Sequence, residues 1–372
     1  MADNKEIALS MRDKQEYAFT RKRVVYGNSF LDNMNVKDLA KEAGWYEPPQ
    51  VMLHARLSEA RIPQIIAPVR LDADVATDFL FRNPDINKIH SCHLDFYEEL
   101  PYRPDVAFDL VWRSLESLIR LYSHEAWNRI PSETHKLFGR ISGEAIGGVL
   151  NDSPKLRVLI EGLLRTVPIG VCRYALVRML LDREISTGSQ FGYIKDRAIE
   201  ILGQELYDNL SHRFVKDGSI SAEDNYAGAI VIGKIIAGDG FHLDAKSYSP
   251  LSLEQRLNIV VSLILYTSRC ERFHGDNFSH FKSDRSSLSK TYRSWYWLLT
   301  TSYFLFWLLF HKLCLSRKYS DVVTEEALIA SFEETMKRIA SIFLPHNGKS
   351  DNSTSDSESP VYMAEGSPTA SR

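Results

Sequence analysis

From Pro104 onward, apolar residues recur every three or four positions, the spacing of helices with one buried face. The clearest case is 252–269, where Leu253, Leu257, Ile259, Val260, Leu263 and Ile264 fall at helical intervals. The same pattern predicts helices at 105–122, 134–150, 154–166, 170–184, 191–213, 222–238, 252–273, 289–315 and 323–343. Asp152-Ser-Pro154, Gly218 and Gly238-Asp-Gly240 punctuate them. Upstream the pattern changes. Between 26 and 100, short apolar stretches are broken by Pro48, Pro49, Pro63, Pro68 and Pro84. That reads as a small irregular region with short helices at 36–43 and 74–81. Residues 1–25 read as a loose polar arm. From His346 the chain is rich in Ser, Asp, Gly and Pro and is expected to be disordered. Strand signals are weak throughout. The expectation is an all-α, multi-helix bundle: an N-terminal region of unknown role (1–100), a helical domain (101–345) and a tail (346–372).

The stretch 295–310 carries no charge over 16 residues and holds eight aromatics. A membrane span usually needs about 20 residues. Thr300, Thr301 and Ser302 interrupt this one, and Arg293 and Lys312 flank it. It reads as a buried core helix, with a dimer interface as a variant of that reading and a membrane anchor as the rival. No membrane association is expected.

Composition narrows the class. Hydrophobic residues at 44% and charged residues at 25% are ordinary for a globular chain of 372 residues. A net charge of −3 excludes the overall basic balance of many nucleic-acid binders. Locally, however, 269–318 has nine Lys or Arg against three Asp or Glu, a surface able to face phosphates. The four cysteines, Cys92, Cys172, Cys270 and Cys314, form no regular framework, which suggests a reducing compartment. The N-terminal residues lack the basic-then-apolar form of a signal peptide, and a cytoplasmic protein is expected.

The candidate chemistry sits at the end of the 252–273 helix, in Arg269-Cys-Glu-Arg-Phe-His274-Gly275-Asp276. Arg269 is a fixed cation, and His274 exchanges a proton near neutral pH. An Arg followed by a His at such spacing is not rare, and Arg129 and His135 repeat it, but Pro131 stands between those two and breaks any helix. Gly275 suits the residue just past a helix C-terminus, and that end favours cations. A polar loop (276–289) and the long apolar helix follow.

A helix running into Arg-x4-His-Gly, then a polar loop and an apolar helix, resembles the HEPN superfamily of ribonucleases. Asp105-Val-Ala-Phe-Asp-Leu-Val-Trp-Arg-Ser-Leu-Glu116-Ser-Leu-Ile-Arg120 resembles that family's early helix, which often carries an aromatic and a Glu. The position after Arg269 is commonly Asn, Asp or His in the family and is Cys270 here. The resemblance implies a HEPN-type bundle, here with a helical insertion around 125–250. It implies an endoribonuclease that needs no metal or cofactor: an RNA 2′-OH attacks the adjacent phosphorus and leaves a 2′,3′-cyclic phosphate. His274 would move the proton and Arg269 would stabilise the transition-state charge. Glu116 is singled out by its own surroundings, apolar Leu115, Leu118 and Ile119, as a core-facing acid able to pair with Arg269; Asp276 and Asn277 would support the site, and Arg272, Lys282 and Arg285 would contact RNA. The family also implies a homodimer with both motifs in one cleft, and a role as a defence effector or toxin. The alternative is a catalytically inactive helical binding or scaffold protein, in which Arg269 and His274 cap a helix end and contact nucleic acid or a protein partner.

Other constellations are weaker. His90-Ser-Cys-His93 holds three metal-ligand types, but no second pair follows at metal-site spacing, and Asp95, Glu98 and Glu99 are generic acids. It reads as a loop with incidental histidines. Gly143, Gly147 and Gly148 lack the strand and lysine of a phosphate loop, and Gly228, Gly233 and Gly238 recur along one helix. Both sets read as sites of close helix approach.

Overall fold

The computed structural model describes residues 65–100, 103–131, 134–181, 190–273 and 288–343. Among these are twelve helices and one short hairpin. Helix α1 (Ala73–Arg82) starts at Asp72, whose carboxylate accepts the amides of Asp74 and Val75. Helix α2 (Pro84–Leu94) opens on a proline, tolerated where no helical partner for its nitrogen exists. A short 3₁₀ turn (Asp95–Glu99) leads toward α3 (Pro104–Ala126). Helix α4 runs 134–152 and holds a π-helical segment, Ile141–Ile146. Helices α5 (Pro154–Arg165), α6 (Ile169–Leu180), α7 (Gln190–Leu202), α8 (Gln204–Phe214) and α9 (Ala222–Ala237) follow. Strands β1 (Phe241–Leu243) and β2 (Lys246–Tyr248) pair antiparallel, with Phe241 opposite Tyr248. Helix α10 runs 253–273 with a second π segment, Ile259–Leu265. Helix α11 is Leu288–Ser316, and α12 is Glu325–Phe343.

The all-α expectation holds for the described residues. Three particulars differ from the sequence reading. The segment with His90 and His93 is a helix, not a loop, because Pro84 starts a helix here rather than breaking one. The helix expected over 191–213 is two helices, split at Gly203, whose φ of +83° is left-handed territory that ends α7. The hairpin at 241–248 leaves no mark in the sequence pattern, since three-residue strands give no usable alternation. Among the described residues, 65–100 share one contiguous apolar core with the helices that follow. The helix expected at 36–43 and the tail lie outside the described residues.

Helices α3 and α11 pack along each other at the centre. Trp112, Leu115 and Ile119 of α3 and Tyr296, Phe304 and Leu308 of α11 are all fully or almost fully buried. The segment Tyr292–Ser316 is long and apolar enough to cross a membrane, yet 89% of its most apolar window is buried inside the fold. Within one chain the aromatics of 295–310 are already buried.

Close approach is visible at the glycines. A Cβ on Gly147 would stand 3.0 Å from the Ser142 carbonyl oxygen and 3.4 Å from the Glu254 side chain. One on Gly228 would stand 2.5 Å from Leu176 of α6. Gly238 ends α9 at φ +78°, and the Arg256 guanidinium lies over it.

Candidate functional site

The site is built where α10 ends beside α3. Ser252 starts α10 with a reciprocal cap: its hydroxyl accepts the Gln255 amide, and the Gln255 side chain accepts the Ser252 amide. Seven residues later the helix loosens. The Tyr266 amide donates to Val261, five residues back, instead of to Ser262, four back. A π segment of this kind admits an additional residue into the turn. At 3.6 residues per turn, one added residue turns everything beyond it by about 100°.

The last turns, Tyr266–Phe273, therefore present Arg269 toward α3. Its Nη2 lies 3.5 Å from Oε2 of Glu116. Glu116 also accepts from Arg120 one turn along α3, at 2.9 Å. The Arg269 and Glu116 side chains are 23% and 19% exposed, while Arg120 is 72% exposed. The inner pair is partly shielded from water, while the outer one is exposed on its arginine side, where such a pair is worth at most about 1 kcal/mol.

Tyr266 stands beside the pair, its ring against Phe138 (centroids 5.1 Å apart) and Trp112 (6.4 Å). Burial pushes its hydroxyl pKa up, and the neighbouring Cys270 thiol adds to that rise. Arg197 of α7 lies over the Tyr266 ring, 5.5 Å from its centroid. Its Nη1 donates to the Ser262 carbonyl at 2.7 Å. Burial lowers the guanidinium's pKa, and the side chain is only 7% exposed.

Of the expected site residues, the structure thus brings Arg269 and Glu116 together. Arg272 falls in the last turn of α10, and its side chain lies outside the described ones. His274, Asp276, Asn277, Lys282 and Arg285 lie outside the described residues. Arg197 and Tyr266 were missed. One signal could have found Arg197: it shares the buried face of α7 with Ile194, Ala198 and Ile201, an unusual place for an arginine.

The other histidine candidates form no metal site. Among the described residues no group of three His, Cys, Asp or Glu is placed to hold a metal ion. His93 is fully buried among Phe96, Tyr303, Phe306 and Trp307, and Cys92 points outward. Arg129 lies in the irregular stretch between α3 and α4, where its carbonyl accepts from Arg140.

Compared with protein-family models, with curated proteins and with solved structures, the chain matches none.

Proposed function

We propose that the protein is a metal-independent endoribonuclease of the HEPN type, acting through Arg269 and His274. The observation that carries this reading is the Arg269–Glu116 pair. A carboxylate on an early helix holds the motif's arginine in place, yet leaves its guanidinium partly exposed, five residues before His274. A fixed, partly dehydrated cation is what a developing phosphorane charge needs. In this reading the RNA 2′-OH gives up its proton as it attacks phosphorus, the 5′-oxygen takes a proton as it leaves, and His274 carries one of these transfers. A second copy of the chain supplies the second ring by two-fold symmetry. A defence or toxin role belongs to the same proposal.

A binding or scaffold protein is the second reading. It is favoured by the same ion pair, since a neutralised Arg269 also stabilises helix packing without chemistry. The two readings separate in one experiment. Purified protein and its His274→Ala variant are incubated with mixed RNA, with and without EDTA, and the product ends are mapped. The nuclease reading expects cyclic phosphate ends from the wild type in EDTA and none from the variant. Equal cleavage by both proteins, or 5′-phosphate products dependent on Mg²⁺, sinks it. RNA binding without cleavage supports the scaffold.

A further inference from the structure

The π segment of α10 leaves one backbone group without its ordinary partner. In an α-helix the Ser262 carbonyl would accept from the Tyr266 amide; here that amide goes to Val261. A buried carbonyl with no donor is costly, by roughly the value of a lost hydrogen bond. Two side chains meet the need. The Thr267 hydroxyl approaches at 3.5 Å, a marginal distance, and Arg197 Nη1 donates at 2.7 Å, a strong charge-assisted bond. Arg197 comes from α7, far from α10 in sequence. On its own helix it takes a core-facing position that an apolar residue would fill more cheaply.

We infer that Arg197 is a positioning residue for the Arg269 site: by holding the Ser262 carbonyl it keeps the π segment open, and so keeps Arg269 turned onto Glu116. Two independent geometric facts support this. The bond falls on the one carbonyl that the π register releases. The same guanidinium also covers Tyr266, the first residue of the turn that carries Arg269 and Cys270. Without Arg197, the segment gains by returning to α-helical bonding. Arg269 then swings away from Glu116, and Cys270 loses the cover of its neighbours. The link also ties the site to α7, within the stretch 125–250, so displacement of α7 would reach Arg269 through a single bond.

The consequence for catalysis rests on the RNA-cleavage reading, so the test has an arm that needs no RNA. Arg197→Met and Arg197→Lys are compared with wild type in a Cys92→Ser background, where Cys270 is the one thiol that is not buried. The expected results are a fall in kcat on the order of 10- to 100-fold with little change in KM for Arg197→Met, faster maleimide alkylation of Cys270, and partial return of both toward wild type in Arg197→Lys. Cys172 and Cys314, both buried, should stay unreactive, which separates a local change from unfolding. Should Arg197→Met fail to fold, Arg197→Leu, which likewise offers the carbonyl no donor, takes its place. If wild type cleaves no RNA, the nuclease reading falls, and the alkylation arm alone decides the role of Arg197. Wild-type alkylation of Cys270 in the Met or Leu variant overturns the inference.

Discussion

His93 lies face to face with Phe306, ring centroids 3.7 Å apart and planes 6° from parallel, and among the described residues neither of its ring nitrogens has a hydrogen-bond partner. The ring is fully buried, with Tyr303 and Trp307 on its other sides and His90 one turn back. Burial pushes its pKa well below the usual histidine value, and the charge on His90 would push it the same way. Burial lowers His90 as well.

The sign of the pH dependence follows. The folded chain takes up protons on both rings less readily than the unfolded chain, which takes them up near pH 6.5. Stability is therefore full above that pH and falls below it, by up to about 1.4 kcal/mol per pH unit for each ring, until the folded rings protonate too. His93→Phe keeps the stacking and removes two orphaned nitrogens. It is expected to raise stability at neutral pH by about 1 kcal/mol and to flatten the acid limb. Urea melts at pH 5 and 7 check this, and an identical pH slope in both proteins would contradict it.

Two helical glycines should respond oppositely to alanine. At Gly228 a methyl would meet Leu176 at 2.5 Å, so Gly228→Ala is expected to cost about 1–3 kcal/mol through overpacking. At Gly162 none of the described residues stands within 4 Å of an added Cβ, so Gly162→Ala is expected to gain up to about 1 kcal/mol through helix propensity. Denaturant midpoints for the pair read both signs.

Tyr303 is the anchor of the extended segment that precedes α1. Its hydroxyl donates to the Ala67 carbonyl at 2.9 Å and accepts the Val69 amide at 3.1 Å, while Thr335 accepts the Ala67 amide and Ser331 donates to its carbonyl. Tyr303→Phe leaves the Val69 amide buried and unpaired, which is expected to cost about 1–3 kcal/mol. Hydrogen exchange at Val69 should rise before the rest of the core responds, and uniform protection would argue against the anchor.

For the proposed nuclease, Glu116→Gln keeps an acceptor near Arg269 and removes the charge. The expected loss of stability is under about 1 kcal/mol, because the pair is partly solvated. The expected fall in cleavage rate is roughly tenfold, from looser positioning of the guanidinium. An unchanged rate would place Arg269 outside the chemistry.

What the sequence by itself determined is the helical character of the chain and most of its segments. Period and punctuation are local, and Ser153, Ser221 and Gly238 cap the helices they border. The uncharged run at 295–310 was also legible as a core helix, because Thr300, Thr301 and Ser302 interrupt it and its aromatics demand packing. The pairing of Glu116 with Arg269 was readable only as a possibility, resting on an acid among apolar neighbours. Tertiary structure decided the rest. Which carbonyl a π segment releases depends on packing across α10, and the donor that meets it, Arg197, comes from 65 residues away. The burial of His93 depends on α11, more than 200 residues further along, whose rings close over a helix that a proline seemed to forbid. Periodicity reports which face of a helix is apolar; only the assembled fold reports what that face meets.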